Sequence, residues 1–159
     1  MNRWIPLVLL LLALTASTAD AQRRARRRTV AASGPTFGGH LGYNFDVDNL
    51  LLGAQLSYPI TPDIAIYPSF DYYFVDTGTF WALNFDLKYR PPTRYGAWYV
   101  GGGLNYSHVS FAGSGRGDTN LNLLTGLEGR RGRARPYVEV KFVLGDGSMF
   151  QLVGGFSWR

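Results

Sequence analysis

The chain has 159 residues, room for one domain, and a formal net charge of +5, with 17% charged and 15% aromatic residues. Few charges beside many aromatics and 20 glycines suit strands whose side chains face lipid, rather than a soluble domain. With no cysteine, disulfides, thiolate catalysis and cysteine-ligated metal are excluded.

Residues 1–21 read as a secretory signal peptide. Arg3 supplies the positive n-region, residues 7–14 an apolar run, and Ala19-Asp20-Ala21 a small-residue cleavage site. The run is too short for a membrane helix, which needs about 20 residues. Cleavage after Ala21 leaves Gln22 first. Residues 22–35 form a basic arm, predicted disordered, carrying Arg23, Arg24, Arg26, Arg27 and Arg28. On a soluble chain such an arm suggests nucleic acid. Export argues against that partner, and anionic lipid or peptidoglycan is expected instead.

Residues 36–159 resolve into eight alternating runs of roughly nine to twelve residues, the length of a tilted membrane strand. Parity assigns each residue a face. The first run sets Phe37, Leu41, Tyr43 and Phe45 against Gly38, His40, Gly42 and Asn44. In the second, Leu50, Leu52, Ala54, Leu56 and Tyr58 oppose Gly53, Gln55 and Ser57. The third sets Ile64, Ile66, Phe70, Tyr72 and Phe74 against Tyr67, Ser69, Asp71 and Tyr73, with Pro68 removing one ladder proton. The fourth sets Trp81, Leu83, Phe85, Leu87 and Tyr89 against Ala82, Asn84, Asp86, Lys88 and Arg90.

The fifth run sets Trp98, Val100, Leu104 and Tyr106 against Tyr99, Gly101, Gly103, Asn105 and Ser107. The sixth sets Leu121, Leu123 and Leu127 against Asn120, Asn122, Gly126 and Glu128. In the seventh, Val138, Val140, Phe142 and Leu144 oppose Tyr137, Glu139 and Lys141. The last sets Phe150, Leu152, Phe156 and Trp158 against Gln151, Gly155 and Ser157. Turn residues 46–49, 76–78, 113–117 and 145–147 mark one end; 59–63, 91–93 and 130–135 mark the other.

A soluble barrel hides its apolar face. Here the apolar faces carry aromatics near both strand ends with aliphatics between, as in Trp81 and Tyr89 or Trp98 and Tyr106. That is the pattern of two aromatic girdles around a lipid-facing belt. An open sheet edge is not tolerated in hydrocarbon, so the strands must close. The expected fold is all-β: an eight-stranded antiparallel up-and-down transmembrane β-barrel.

The segments Trp98-Tyr99-Val100-Gly101-Gly102-Gly103-Leu104-Asn105-Tyr106-Ser107 and Arg135-Pro136-Tyr137-Val138-Glu139-Val140-Lys141 carry a family likeness. With them the chain resembles the small Gram-negative outer-membrane barrels of the OmpA/OmpX-like group, without that group's peptidoglycan-binding domain. The resemblance implies an outer-membrane location, outer-membrane lipids as surroundings and periplasmic placement of the N-terminal end. The closing run from Phe150 to Trp158 resembles the family's assembly signal, which implies handling by the barrel-assembly machinery; here Arg159 follows the aromatic.

Eight strands enclose an interior just wide enough to be filled by side chains. Parity puts His40, Asp71, Asp86, Lys88, Glu128, Glu139 and Lys141 there, as a polar plug in which Lys141 neutralises a carboxylate such as Glu139. Gly101 and Gly103 leave room beside Lys88 and Asp86. No cofactor or metal is expected. His108-Val109-Ser110 is similar to part of the site of outer-membrane lipid A deacylases, but no orienting acid accompanies it. The expected role is structural, envelope-anchoring or surface contact, without enzymatic activity. A narrow ion or small-solute channel is the first alternative and a lipid A-modifying enzyme the second.

Overall fold

A computed structural model describes residues 34–91, 98–129 and 132–159. The leader at 1–21, the five arginines of the basic arm and turn residues 92–97 and 130–131 lie outside the described residues.

Eight strands follow one another: β1 (Thr36–Asn44), β2 (Asn49–Pro59), β3 (Ile64–Tyr73), β4 (Thr79–Tyr89), β5 (Trp98–Phe111), β6 (Ser114–Glu128), β7 (Ala134–Leu144) and β8 (Met149–Trp158). Each pairs antiparallel with the next, and β8 closes onto β1 from Phe37↔Trp158 to Asn44↔Gln151. Closure satisfies every strand edge within the sheet, which hydrocarbon demands. Among the described residues no helix is long and apolar enough to cross a membrane. The fold is the one expected.

The two faces are inverted relative to a soluble protein. Leu41, Leu56, Leu83, Phe85, Leu104, Leu123 and Phe156 stand half or more exposed on the outside. Asn84, Asp86, Lys88, Asn105, Glu139 and Lys141 are buried inside. Such an apolar surface far exceeds the patch a soluble monomer shows to water, and lipid accounts for it. Aromatics cluster at the strand ends. Phe37 stacks on Trp158 at 6.0 Å at one end, and Phe45 and Phe142 flank Phe150 at 5.2 and 5.0 Å at the other. The parity assignments hold in all eight strands.

Pro68 shows its effect locally. The β2–β3 register runs from Leu51↔Tyr73 to Gln55↔Ser69 and resumes only at Tyr58↔Ile66. On its other side Pro68 pairs with Phe85 as usual.

One boundary differs from expectation. Of residues 113–117 only Gly113 is turn: β5 and β6 pair on to Phe111↔Ser114, joined by Ala112 and Gly113 alone. Both have positive φ (49° and 83°), the backbone of a tight two-residue hairpin. Pairing of β6 with β7 starts only at Leu121↔Leu144, and β4 reaches only Ser110 on β5. The hairpin tip therefore extends well past the end of β7, while β4 follows β5 almost to the tip. In water it has no lipid face, so its sequence lacks the alternation that marks a membrane strand.

Candidate functional site: the polar interior and a basic mouth

The residues that β4 turns inward trace the interior from end to end: Phe80, Ala82, Asn84, Asp86, Lys88, then Arg90 beyond the strand. Each meets a different layer.

Nearest the end that carries Asp46, Asp76 and Asp146, the interior is apolar. Leu51, Tyr73, Phe80, Ala82 and Val153 belong to one buried cluster there, with Val75 and Met149 packed against it. Tyr73 stacks on Phe80 at 4.0 Å. The expected polar interior thus has an apolar cap. Leu51, Val143 and Val153 share the parity of the inward residues of their strands, but the face assignment from sequence passed over them, because uniformly apolar stretches such as Leu50-Leu51-Leu52 mask the alternation.

The middle layer is a hydrogen-bonded network. His40 Nε2 lies 2.7 Å from Asp71 Oδ1, and its Nδ1 lies 3.0 Å from Gln55 Oε1. Asn84 donates to Asp71 at 2.8 Å and accepts from Asn105 and Asn122 at 2.8 and 2.9 Å. Asn122 also donates to Asp86 at 2.9 Å. Lys141 Nζ stands 3.7 Å from Asp71 and 4.0 Å from Asp86, one ammonium serving two carboxylates. Among the described residues, Ser69 Oγ, Asp86 Oδ2, Asn122 Oδ1 and Gln151 Oε1 are buried without a hydrogen-bond partner.

The third layer corrects a pairing. The partner of Glu139 is Lys88, at 2.5 Å, and not Lys141. Glu139 and Lys141 share one strand face two residues apart, whereas Lys88 reaches across the lumen from β4 to β7. Gly101 and Gly103 lie on the strand beside it. They pair with Lys88 and Asp86, and a Cβ on Gly103 would collide with the backbone of Phe85 and Asp86. The Lys88 ammonium also sits 3.2 Å above the Tyr67 ring and 4.5 Å from that of Tyr99. Tyr99 donates a 2.7 Å hydrogen bond to Glu139. Tyr67, Tyr99 and Tyr137 were legible as inward residues, but their convergence on one ammonium was not.

At the mouth below, Glu128 accepts from Arg90 Nε and Nη2 at 3.2 and 3.0 Å, and Arg135 Nη1 lies 3.6 Å away. The interior residues expected from the sequence therefore fall into three groups rather than one plug: His40, Asp71, Asp86 and Lys141; Lys88 with Glu139; and Glu128 with two arginines. Among the described residues no three His, Asp or Glu side chains converge as metal ligands.

His108 faces outward, stacked on Trp81 at 5.2 Å, and among the described residues no carboxylate hydrogen-bonds to it. Ser110 lies at the last β4–β5 pair, opposite Thr79. Among the described residues no acid is placed to orient that imidazole as nucleophilic chemistry would require.

No family profile matches the chain, and no curated protein matches it. Solved structures do. The N-terminal β-barrel domain of Pseudomonas aeruginosa OprF matches with a TM-score of 0.58 and 20% identity, covering 78% of this chain and 96% of that one. Neisserial surface protein A matches with a TM-score of 0.58 and 14% identity, over 79% of this chain and 95% of that one. Ail, the attachment invasion locus protein of Yersinia pestis, matches with a TM-score of 0.52 and 15% identity, over 78% and 95%. At these identities the likeness is one of fold: small outer-membrane barrels of eight strands.

Proposed function

We propose that this chain, whose fold is that of the small outer-membrane β-barrels, is a non-enzymatic structural barrel of the Gram-negative envelope, exported by its leader and closed by its own interior. One observation carries this reading: bonds cross the lumen in every layer. Gln151 on β8 donates to Tyr73 on β3 at 2.7 Å, Tyr137 on β7 to Gln55 on β2 at 2.5 Å, and Lys88 on β4 to Glu139 on β7 at 2.5 Å. Buried polar atoms left over suit isolated waters rather than a continuous column. Purified barrel in planar bilayers is therefore expected to show no steady, large conductance. Steady openings whose ion selectivity changes in Lys88→Met would overturn the plug and favour the narrow channel.

Contacts with the surroundings fall to the ends. The β5–β6 hairpin tip extends past the end of β7 and offers a surface element, in keeping with neighbours named as a surface protein and an attachment protein. The closing strand β8 is the segment for the barrel-assembly machinery to engage. The basic arm is assigned to anionic lipid or peptidoglycan. Changing Arg23, Arg24, Arg26, Arg27 and Arg28 to Gln is expected to weaken binding to anionic vesicles or peptidoglycan at low salt, by about 1 kcal/mol per arginine near a surface. Equal sedimentation of mutant and wild type with both materials would leave the arm a spacer.

A further inference from the structure

We propose that the arginines at the basic mouth form a binding site for a phosphate-type oxyanion. The proposal rests on the barrel and is independent of the arm and of the plug. Four arginines gather there from three strand ends. Arg90 follows β4, Arg135 lies in β7 opposite Ser157 of β8, and Arg159 N donates to Arg133 O at 3.2 Å, setting those two residues side by side. Arg90 and Arg159 both act on the Arg135 guanidinium as like charges. Among the described residues, the ion pairs these arginines form all go to one glutamate. Glu128 is shared between Arg90 and Arg135, and Asp63 forms no ion pair with any of the four among the described residues.

Arginine does not shed its proton in proteins, so the crowding cannot be relieved by titration. It can be relieved by an anion. One guanidinium is visibly short of partners: the Arg135 side chain is largely buried, its Nη1 is 3.6 Å from Glu128, and its Nη2 has no hydrogen-bond partner among the described residues. That Nη2 is itself buried, so the edges open to the tetrahedral oxygens of a phosphate are those of the exposed Arg133 and Arg159 and the partly exposed Arg90 around it. The depth also fits. The girdle aromatics Tyr89 and Trp158 immediately precede Arg90 and Arg159 in sequence, which puts the guanidiniums at the level of lipid headgroups. The same chemistry is offered by a headgroup phosphate and by free phosphate.

The test compares mature wild-type protein with Arg133→Gln/Arg159→Gln, whose exposed side chains can be removed while the Arg90–Glu128 pair stays. Arg116→Gln, at the opposite end, is the control. In detergent, inorganic phosphate replaces chloride at constant ionic strength and the thermal midpoint is read. In vesicles, quenching of tryptophan by brominated phosphatidylglycerol is compared with that by brominated phosphatidylcholine, since Trp98 and Trp158 border the site. The expected result is a stabilising shift or preferential quenching in wild type and the control. In the double variant the affinity should fall about tenfold or more, the worth of one charge-assisted hydrogen bond. A response to phosphatidylglycerol alone identifies a lipid headgroup, and a response to both probes a free oxyanion. No response to either probe in wild type, or an equal response in the double variant, overturns the proposal. The arm is the same in every sample and cannot produce the difference.

Discussion

Lys88→Met is expected to destabilise the barrel by about 3–5 kcal/mol, the loss seen when one partner of a buried ion pair is removed. Lys88 and Glu139 are each 2% exposed, so the carboxylate left behind has no water to turn to. It would keep only the hydrogen bond from Tyr99. The Tyr67 and Tyr99 rings would lose their cation as well. The loss should exceed the worth of the pair itself, because most of it is the penalty on the stranded charge. The double variant Lys88→Met/Glu139→Gln should therefore be less damaged than the sum of its single changes. Urea unfolding of barrel inserted in phospholipid vesicles, followed by tryptophan fluorescence, measures all three. Strict additivity would mean that Lys88 and Glu139 do not meet.

Leu83→Arg should lower stability by about 2–4 kcal/mol in the same assay, the range for arginine near the midplane on the lipid face of a barrel. Leu83 lies mid-strand in β4 between Phe70 and Tyr106, and half of it is exposed. Its guanidinium would have to snorkel several residues to reach either girdle. The matched control is Asp48→Arg in the β1–β2 turn, which already meets water. Asn84→Arg tests the opposite face. There the injury is the broken network of Asp71, Asn105 and Asn122 rather than exposure to lipid. Equal tolerance of arginine at Leu83 and Asp48 would place that face in water and not in lipid.

The lipid face was legible because the membrane imposes a strict period of two over a long strand. Leu83, Phe85 and Leu87 alternating with Asn84, Asp86 and Lys88 leave no other assignment. The signal failed where that pressure stops. At Gly115 to Thr119 the strand has left the lipid, both its faces meet water, and small polar residues read as a loop. It weakened again at Leu51 and Leu124, where an apolar residue packs inside the barrel next to apolar neighbours outside.

Strand number, face assignment, closure into a barrel and the inward set of charged residues thus follow from the sequence alone, since parity and the exclusion of open edges from hydrocarbon are local rules. The partners of those charges do not follow. Strand tilt and shear determine which residues of non-adjacent strands reach the same height in the lumen, and these are properties of the closed barrel. Hence Lys88 meets Glu139 from across the lumen, Lys141 falls between Asp71 and Asp86, and Arg90, Arg133, Arg135 and Arg159 share one mouth.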